Sequence, residues 1–359
     1  VNAGVLQSQA ALSLAGTSLN NDSGKILSND GLGLTVQGRI SNQSGAVFAQ
    51  KQLTIQSTEV VNAQGQIASG QGVHLDIAKL NNTDGLINAK GALQVRSHEL
   101  QNQRGELSSA ASFELNSAAV NNVAGTLVSG GDMNIQAAAL DNTKGAIRTN
   151  QALSVAATHL DNQQGQVSSL GGLNLDVQDA LHNQLGQIAA GGPLAISAAT
   201  LNNQAGQALS HQGLTLTVGA LDNTGGLINA AQAVQAKVDT ALVNTRGRLF
   251  SGDIVNVKAA GLANDVGQIA ARHVAIDVGA GLLNNATGQI VGEQMLILKQ
   301  GQIENRAGLI SSGQNLSIDT QGQALVNDGG RLHSAGLLDI NAGQLSNEKG
   351  LLQGGQGLT

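Results

Sequence analysis

The chain has 359 residues, a formal net charge of −6, and 48 Gly against a single Pro, with three Phe and neither Trp nor Tyr. So few aromatic rings exclude a thick conventional core, and the lack of any Lys/Arg run excludes the basic footprint of a sequence-independent nucleic-acid binder. The absence of Cys excludes disulfides and thiolate metal sites, and no apolar stretch approaches the roughly 18–20 residues of a membrane-spanning helix, so no membrane insertion is expected.

The chain opens in mid-pattern with "VNAGVLQS", with no initiator Met and no signal peptide, as expected of a fragment of something longer. A single unit then recurs to the end. Its fixed point is an Asn, at Asn21, Asn42, Asn62, Asn82, Asn102, Asn122, Asn142, Asn162, Asn183, Asn203, Asn223, Asn244, Asn264, Asn285, Asn305, Asn327 and Asn347. These seventeen copies lie 20 to 22 residues apart. Each has Gly three residues later, as at Gly85, Gly145, Gly165 and Gly226, and each has Leu, Ile or Val two residues before.

Within a unit the elements follow in order. Five residues after the Asn comes a large aliphatic residue, such as Ile26, Val47 or Ile67, with Ala208 the one exception. Positions +11 and +13 form an alternating pair, as in Leu53/Ile55, Met133/Ile135 and Leu194/Ile196; only the Asn264 copy slips, to Val274, Ile276 and Val278. Alternation with period two marks strands, and helical spacing is absent. Three short strands per unit are therefore predicted, near +5, near +11 to +13, and near −2. Asn-x-x-Gly between them has the form of a type I turn, with Gly free to take positive φ at the corner.

One unit brings about four large aliphatic side chains, too few to offset the ordering of some twenty backbones. It must stack on its neighbours, and repeats of this length that stack in parallel make a solenoid. The predicted fold is all-β: a right-handed parallel β-helix of about 17 coils of 20–22 residues, running through residues 1–359 as one continuous repeat region, the hand following the crossover rule. At ~4.8 Å per coil the rod would be roughly 80 Å long. The Asn of each coil would occupy one corner, where the side-chain amides either stack into a hydrogen-bonded ladder or each cap a local turn. Asp and Ser, which would serve a turn equally well, never occur there. A leucine-rich repeat has a similar period but needs a spacing these copies lack.

Candidate chemistry is sparse. Coil length varies by at most two residues, so no coil carries a site-building loop. The seven His occupy seven different positions in the unit, so they build no stacked metal site. One column gathers ionisable groups: Asp141, Asp161 and His182 directly precede the Asn on consecutive coils, where two carboxylates beside a His could hold a cation or share a proton. The same column elsewhere carries Asn81, Gln101, Asn121 and Asn202, the pattern of a solvated polar face. A polysaccharide-degrading β-helix needs clustered acids with Arg or Lys and aromatics for sugar rings, and three scattered Phe do not line a cleft. An ice-binding face needs a repeated Thr-x-Thr, which occurs once, at Thr215 and Thr217. No catalytic, cofactor or metal residue is assigned, and no enzyme is expected.

The unit L-[DN]-N-x-x-G-x-[IL], followed by a Gly-rich corner and L-x-[IV], resembles the repeats of filamentous haemagglutinins, including CdiA-like effectors of contact-dependent growth inhibition. "LNNTDGLINAKGALQVRS" (80–97) and "LDNTKGAIRTNQALSVAA" (140–157) carry it, and it extends over essentially the whole chain. The resemblance implies a very long protein secreted through a partner pore in the outer membrane and displayed on a Gram-negative surface. Its repeats would form a shaft, and adhesion, receptor binding or toxin delivery would belong to particular segments. The Asn-Pro motifs of the secretion domain and the VENN junction of toxin-bearing members are missing. A passive shaft is the expectation; the alternative is that one face binds a receptor protein or glycan on another cell. The most apolar run, "EQMLILK" (293–299), alternates in a way that predicts burial.

Overall fold

The computed structural model describes residues 1–359. It contains 42 β-strands and no helix. The strands pair in parallel, each with its counterpart one coil away, as in Ile67↔Ile87↔Leu107 in the first half and Ala208↔Ile228↔Leu249 in the second. This is the β-solenoid that the period predicted. Two compact units are defined, Val1–Gln178 and Asp179–Thr359.

In the first unit the interior is a stack of the predicted apolar columns. Ile26, Val47, Ile67, Ile87, Leu107, Leu127 and Ile147 from +5 are buried, as are the +11/+13 pairs and the −2 residues Ile40, Val60, Leu80 and Leu100. Phe113, in the +11 column, is fully buried. The second unit repeats the scheme from Ile188 to Leu338, with Ala208 filling its column at smaller volume. A side chain in register with its like on the coils above and below finds the same neighbours at each level, which keeps the cross-section constant along the stack.

The number of strands per coil departs from the prediction. Three separate strands occur in the early coils, for example Lys25–Ser28, Leu32–Val36 and Arg39–Ser41. From Leu53–Val61 to Leu214–Asp222, however, the second and third strands join into one of nine or ten residues. Pairing lapses at a single point, between Asp76↔Arg96 and Lys79↔Glu99, where the joined strand bends without a turn. Small or β-branched residues at +15, such as Ser97, Ser117, Ala137 and Ala157, let the extended backbone round this bend, so no turn residue marks it in the sequence.

In the second unit a different corner opens. Gln268–Asp277 pairs with both Arg248–Ser251 and Ile254–Lys258, because the Asn264 copy is one residue short before Val274 and has no room for a turn. The next strand, Gln289–Lys299, takes up the difference in a register shift between Ala271 and His273. In that strand Leu296 and Leu298 are buried as predicted, but Met295 and Ile297 face outward, 43% and 41% exposed. Alternation buries one half of a strand and necessarily presents the other. Ile254 and Leu337 are exposed on the same side of nearby coils.

Candidate functional site: the asparagine corner

Every repeat Asn from Asn21 to Asn327 is 0% exposed, and the donors and acceptors of the side chains are used in one recurring pattern. Asn42 is representative. Its Nδ2 donates to Asn62 Oδ1 at 2.7 Å, to the carbonyl of its own Gly45 at 3.3 Å, and to the carbonyl of Gln66 on the next coil at 3.1 Å. Its Oδ1 accepts from Asn21 Nδ2 at 2.7 Å.

In the first unit this amide-to-amide chain runs from Asn2 through Asn21, Asn42, Asn62, Asn82, Asn102, Asn122 and Asn142 to Asn162, with links of 2.7 or 2.8 Å. In the second it runs from Asn183 to Asn347, each link 2.7 Å. Of the two arrangements open from sequence, the side chains adopt the ladder. A link must donate and accept at once; an amide does both, whereas a carboxylate only accepts. Asn2 adds an eighteenth member that the spacing did not reveal, because it lies 19 residues before Asn21 and has Val at +3.

The turn itself differs from expectation. The N–H of Gly24 donates to the carbonyl of Asn21 at 3.0 Å, closing a four-residue turn, but the left-handed residue is the one before the glycine. Ser23, Gln64, Arg104, Lys144, Leu185 and Val266 have φ between 54° and 58°. Positive φ at the third position of the turn alone is the mark of type II, not type I.

The glycine is needed for another reason. A Cβ on Gly85, Gly145, Gly165 or Gly226 would stand 2.2 Å from the carbonyl oxygen of the Asn one coil back, and 2.5–2.7 Å from Oδ1 of its own Asn. Backbone at that distance cannot yield, so only hydrogen fits.

The Asp141 and Asp161 carboxylates are occupied by the same corner. Each accepts a backbone N–H two residues on, from Thr143 and Gln163, at 2.9 Å, and Asp161 also takes Gln163 Nε2 at 2.9 Å. Asn81, Asn121, Asn202 and Asp222 do likewise toward Thr83, Val123, Gln204 and Thr224. The column is a set of side-chain-capped turns, which accounts for its preference for Asn and Asp. His182 closes the strand Leu173–His182 and is half-buried.

Burial tends to raise the Asp222 carboxyl, but hydrogen bonds from Thr224 and Gln204 outweigh it and hold the group below the ordinary carboxylate value.

A second polar column escaped the sequence reading. Seven residues after the Asn the side chain is always small, and where it is Ser it stitches the next corner. Ser129 Oγ donates to the carbonyls of Ala111 and Asp132 at 2.7 and 3.1 Å, and Ser210 Oγ to those of Gly192 and Gly213, both at 2.9 Å. The strict small size at +7 was the available signal, hidden because Ser, Ala, Thr and Gly alternate there.

A parallel β-solenoid whose every coil is locked at an amide-laddered, glycine-sealed corner is a structural repeat protein. The haemagglutinin repeat family model matches residues 1–44, 33–97, 97–184, 182–327 and 319–359, which together span the chain. The chain therefore belongs to the haemagglutinin repeat family, and it is a filamentous haemagglutinin-type repeat region. Neither a curated protein nor a solved structure matches it.

Proposed function

We propose that this chain is a length of passive shaft in a large secreted protein displayed at the Gram-negative outer-membrane surface, where it holds an adhesive or toxin-delivery module away from the cell. The observation that carries this reading is the unvarying corner: coil after coil spends the buried Asn amide on its neighbours rather than on a ligand. Export as an unfolded chain through an outer-membrane pore suits a sequence without Cys, whose units gain structure only by stacking. In this reading the chain uses no cofactor and catalyses no reaction.

A second reading, in which the shaft is itself a recognition module for a receptor protein or glycan, is favoured by the outward-facing Met295 and Ile297. Binding of the labelled, purified chain to intact bacteria and host cells separates the two. The shaft predicts no saturable binding; saturable binding competed by unlabelled chain overturns it.

A further inference from the structure

We propose that a groove on the second unit binds an oxyanion, a carboxylate, sulfate or phosphate group, between the ammonium groups of Lys237 and Lys258. Lys237, in the strand Ala233–Val238, is the register partner of Lys258, in the strand Ile254–Lys258. Neighbouring strands lie ~4.8 Å apart, and like charges placed opposite each other there are destabilising.

No other two cations of the chain face each other in this way. Several other cations are answered by an acid one coil away, as in Lys51–Asp30 at 2.9 Å, Arg104–Asp84 at 2.7 Å and Arg306–Asp328 at 2.9 Å. The side chains of Lys237 and Lys258 make no ion pair and no hydrogen bond within the protein, while their backbones belong to the sheet. The other register partner of Lys258 is Asp277, whose carboxylate accepts the N–H of Gly279 at 2.9 Å.

The two lysines border a groove of about 230 Å³ with Thr215, Thr217, Gln235 and Asn256. Leu216 and Ala236 complete a lining that is apolar over much of its area and holds no Asp or Glu, on a molecule whose net charge is −6. It crosses three coils, roughly 10 Å at the usual strand spacing, which is room for one or two oxyanion groups. A bound anion bridging the lysines converts their repulsion into two charge-assisted hydrogen bonds, and the hydroxyl and amide groups supply further donors. Because the groove is open to solvent, its affinity falls as salt is added.

The site stands independently of the shaft reading, which survives if the site fails. The test is titration of the whole chain at low ionic strength, by calorimetry, with inorganic sulfate, inorganic phosphate and an oligogalacturonate in separate arms. Saturable binding in at least one arm is expected, weakened tenfold or more in Lys237→Gln and in Lys258→Gln. It should be unchanged in Lys299→Gln, whose register partners are Asp277 and Asp319. Binding of the inorganic ions marks a site for a single oxyanion; binding of the oligogalacturonate alone marks a polymer lying across the coils. Failure of every arm to saturate, or equal binding by all variants, overturns the proposal. The three lysines are exposed, and unchanged heat-unfolding midpoints check that the variants are folded.

Discussion

At the scale of single residues, the corner assigns different tasks to three positions of one four-residue turn. Replacing Asn122 by Ala strands Asn142 Oδ1 and takes from Asn102 Nδ2 its 2.7 Å acceptor, leaving it the longer bonds to the carbonyls of Gly105 and Thr126. A buried group left without a partner costs about 1–3 kcal/mol, so Asn122→Ala should lose about 2–5 kcal/mol in denaturant unfolding. Asn122→Asp should be worse at pH 7 and partly relieved by acid. The buried carboxylate can accept but not donate, and its raised folded value makes the penalty grow as pH climbs above the unfolded value. Gly125→Ala would drive a Cβ to 2.1 Å from the Asn102 carbonyl oxygen and should cost about 3 kcal/mol. One position earlier the sign reverses. Val266, β-branched at φ 57° and 57% exposed, loses little packing and much strain on substitution by Gly; Val266→Gly should stabilise by about 1 kcal/mol in the same measurement.

At the scale of the coil, the acids that answer neighbouring cations and turns set the response to acid. A hydrogen bond from Arg104 holds Asp84 below the ordinary 3.8, one from Lys51 does the same for Asp30, and one from Ser346 for Asp328. Folded values depressed in this way contribute stability that is complete above the unfolded value and lost as pH falls through the folded one. The heat-unfolding midpoint should therefore be flat from pH 7 to pH 5 and decline below about pH 4, with part of the decline absent in Asp222→Asn. The coil is also the unit of permissible change. Deleting residues 122–141 removes one turn and brings Asn142 into the place of Asn122, so the β-rich circular dichroism and a single cooperative melt should survive. Deleting 122–131 leaves half a coil out of register and should abolish both.

At the scale of the whole molecule, the period was legible because the same side chain recurs wherever the same coil position is buried. The Asn column and the +5, +11, +13 and −2 columns were all read this way. What stayed hidden follows from physical causes that residue type does not record. The left-handed position of the turn holds Ser, Gln, Asp, Arg, Lys, Leu and Val in different coils, so it carries no composition signal, and the glycine beside it invited the wrong explanation. The bend at +15 has no turn residue, so two strands read as separate are joined. The outward half of "EQMLILK" is hidden in the sequence because an apolar residue occupies both faces of the strand, while the fold buries only every second side chain.

The ladder has a mechanical corollary for an element that is asked to bear load. Its hydrogen bonds run from coil to coil, so tension applied along the stack of a unit acts on successive interfaces in series, and the weakest one sets the force at which the unit gives way. In the second unit that interface is legible: the coils between Gln268 and Lys299 carry the register shift at Ala271/His273, and the fully buried Gln300 that follows has an Oε1 with no partner. Pulled from its ends in a single-molecule experiment, this unit should rupture first within residues 268–300.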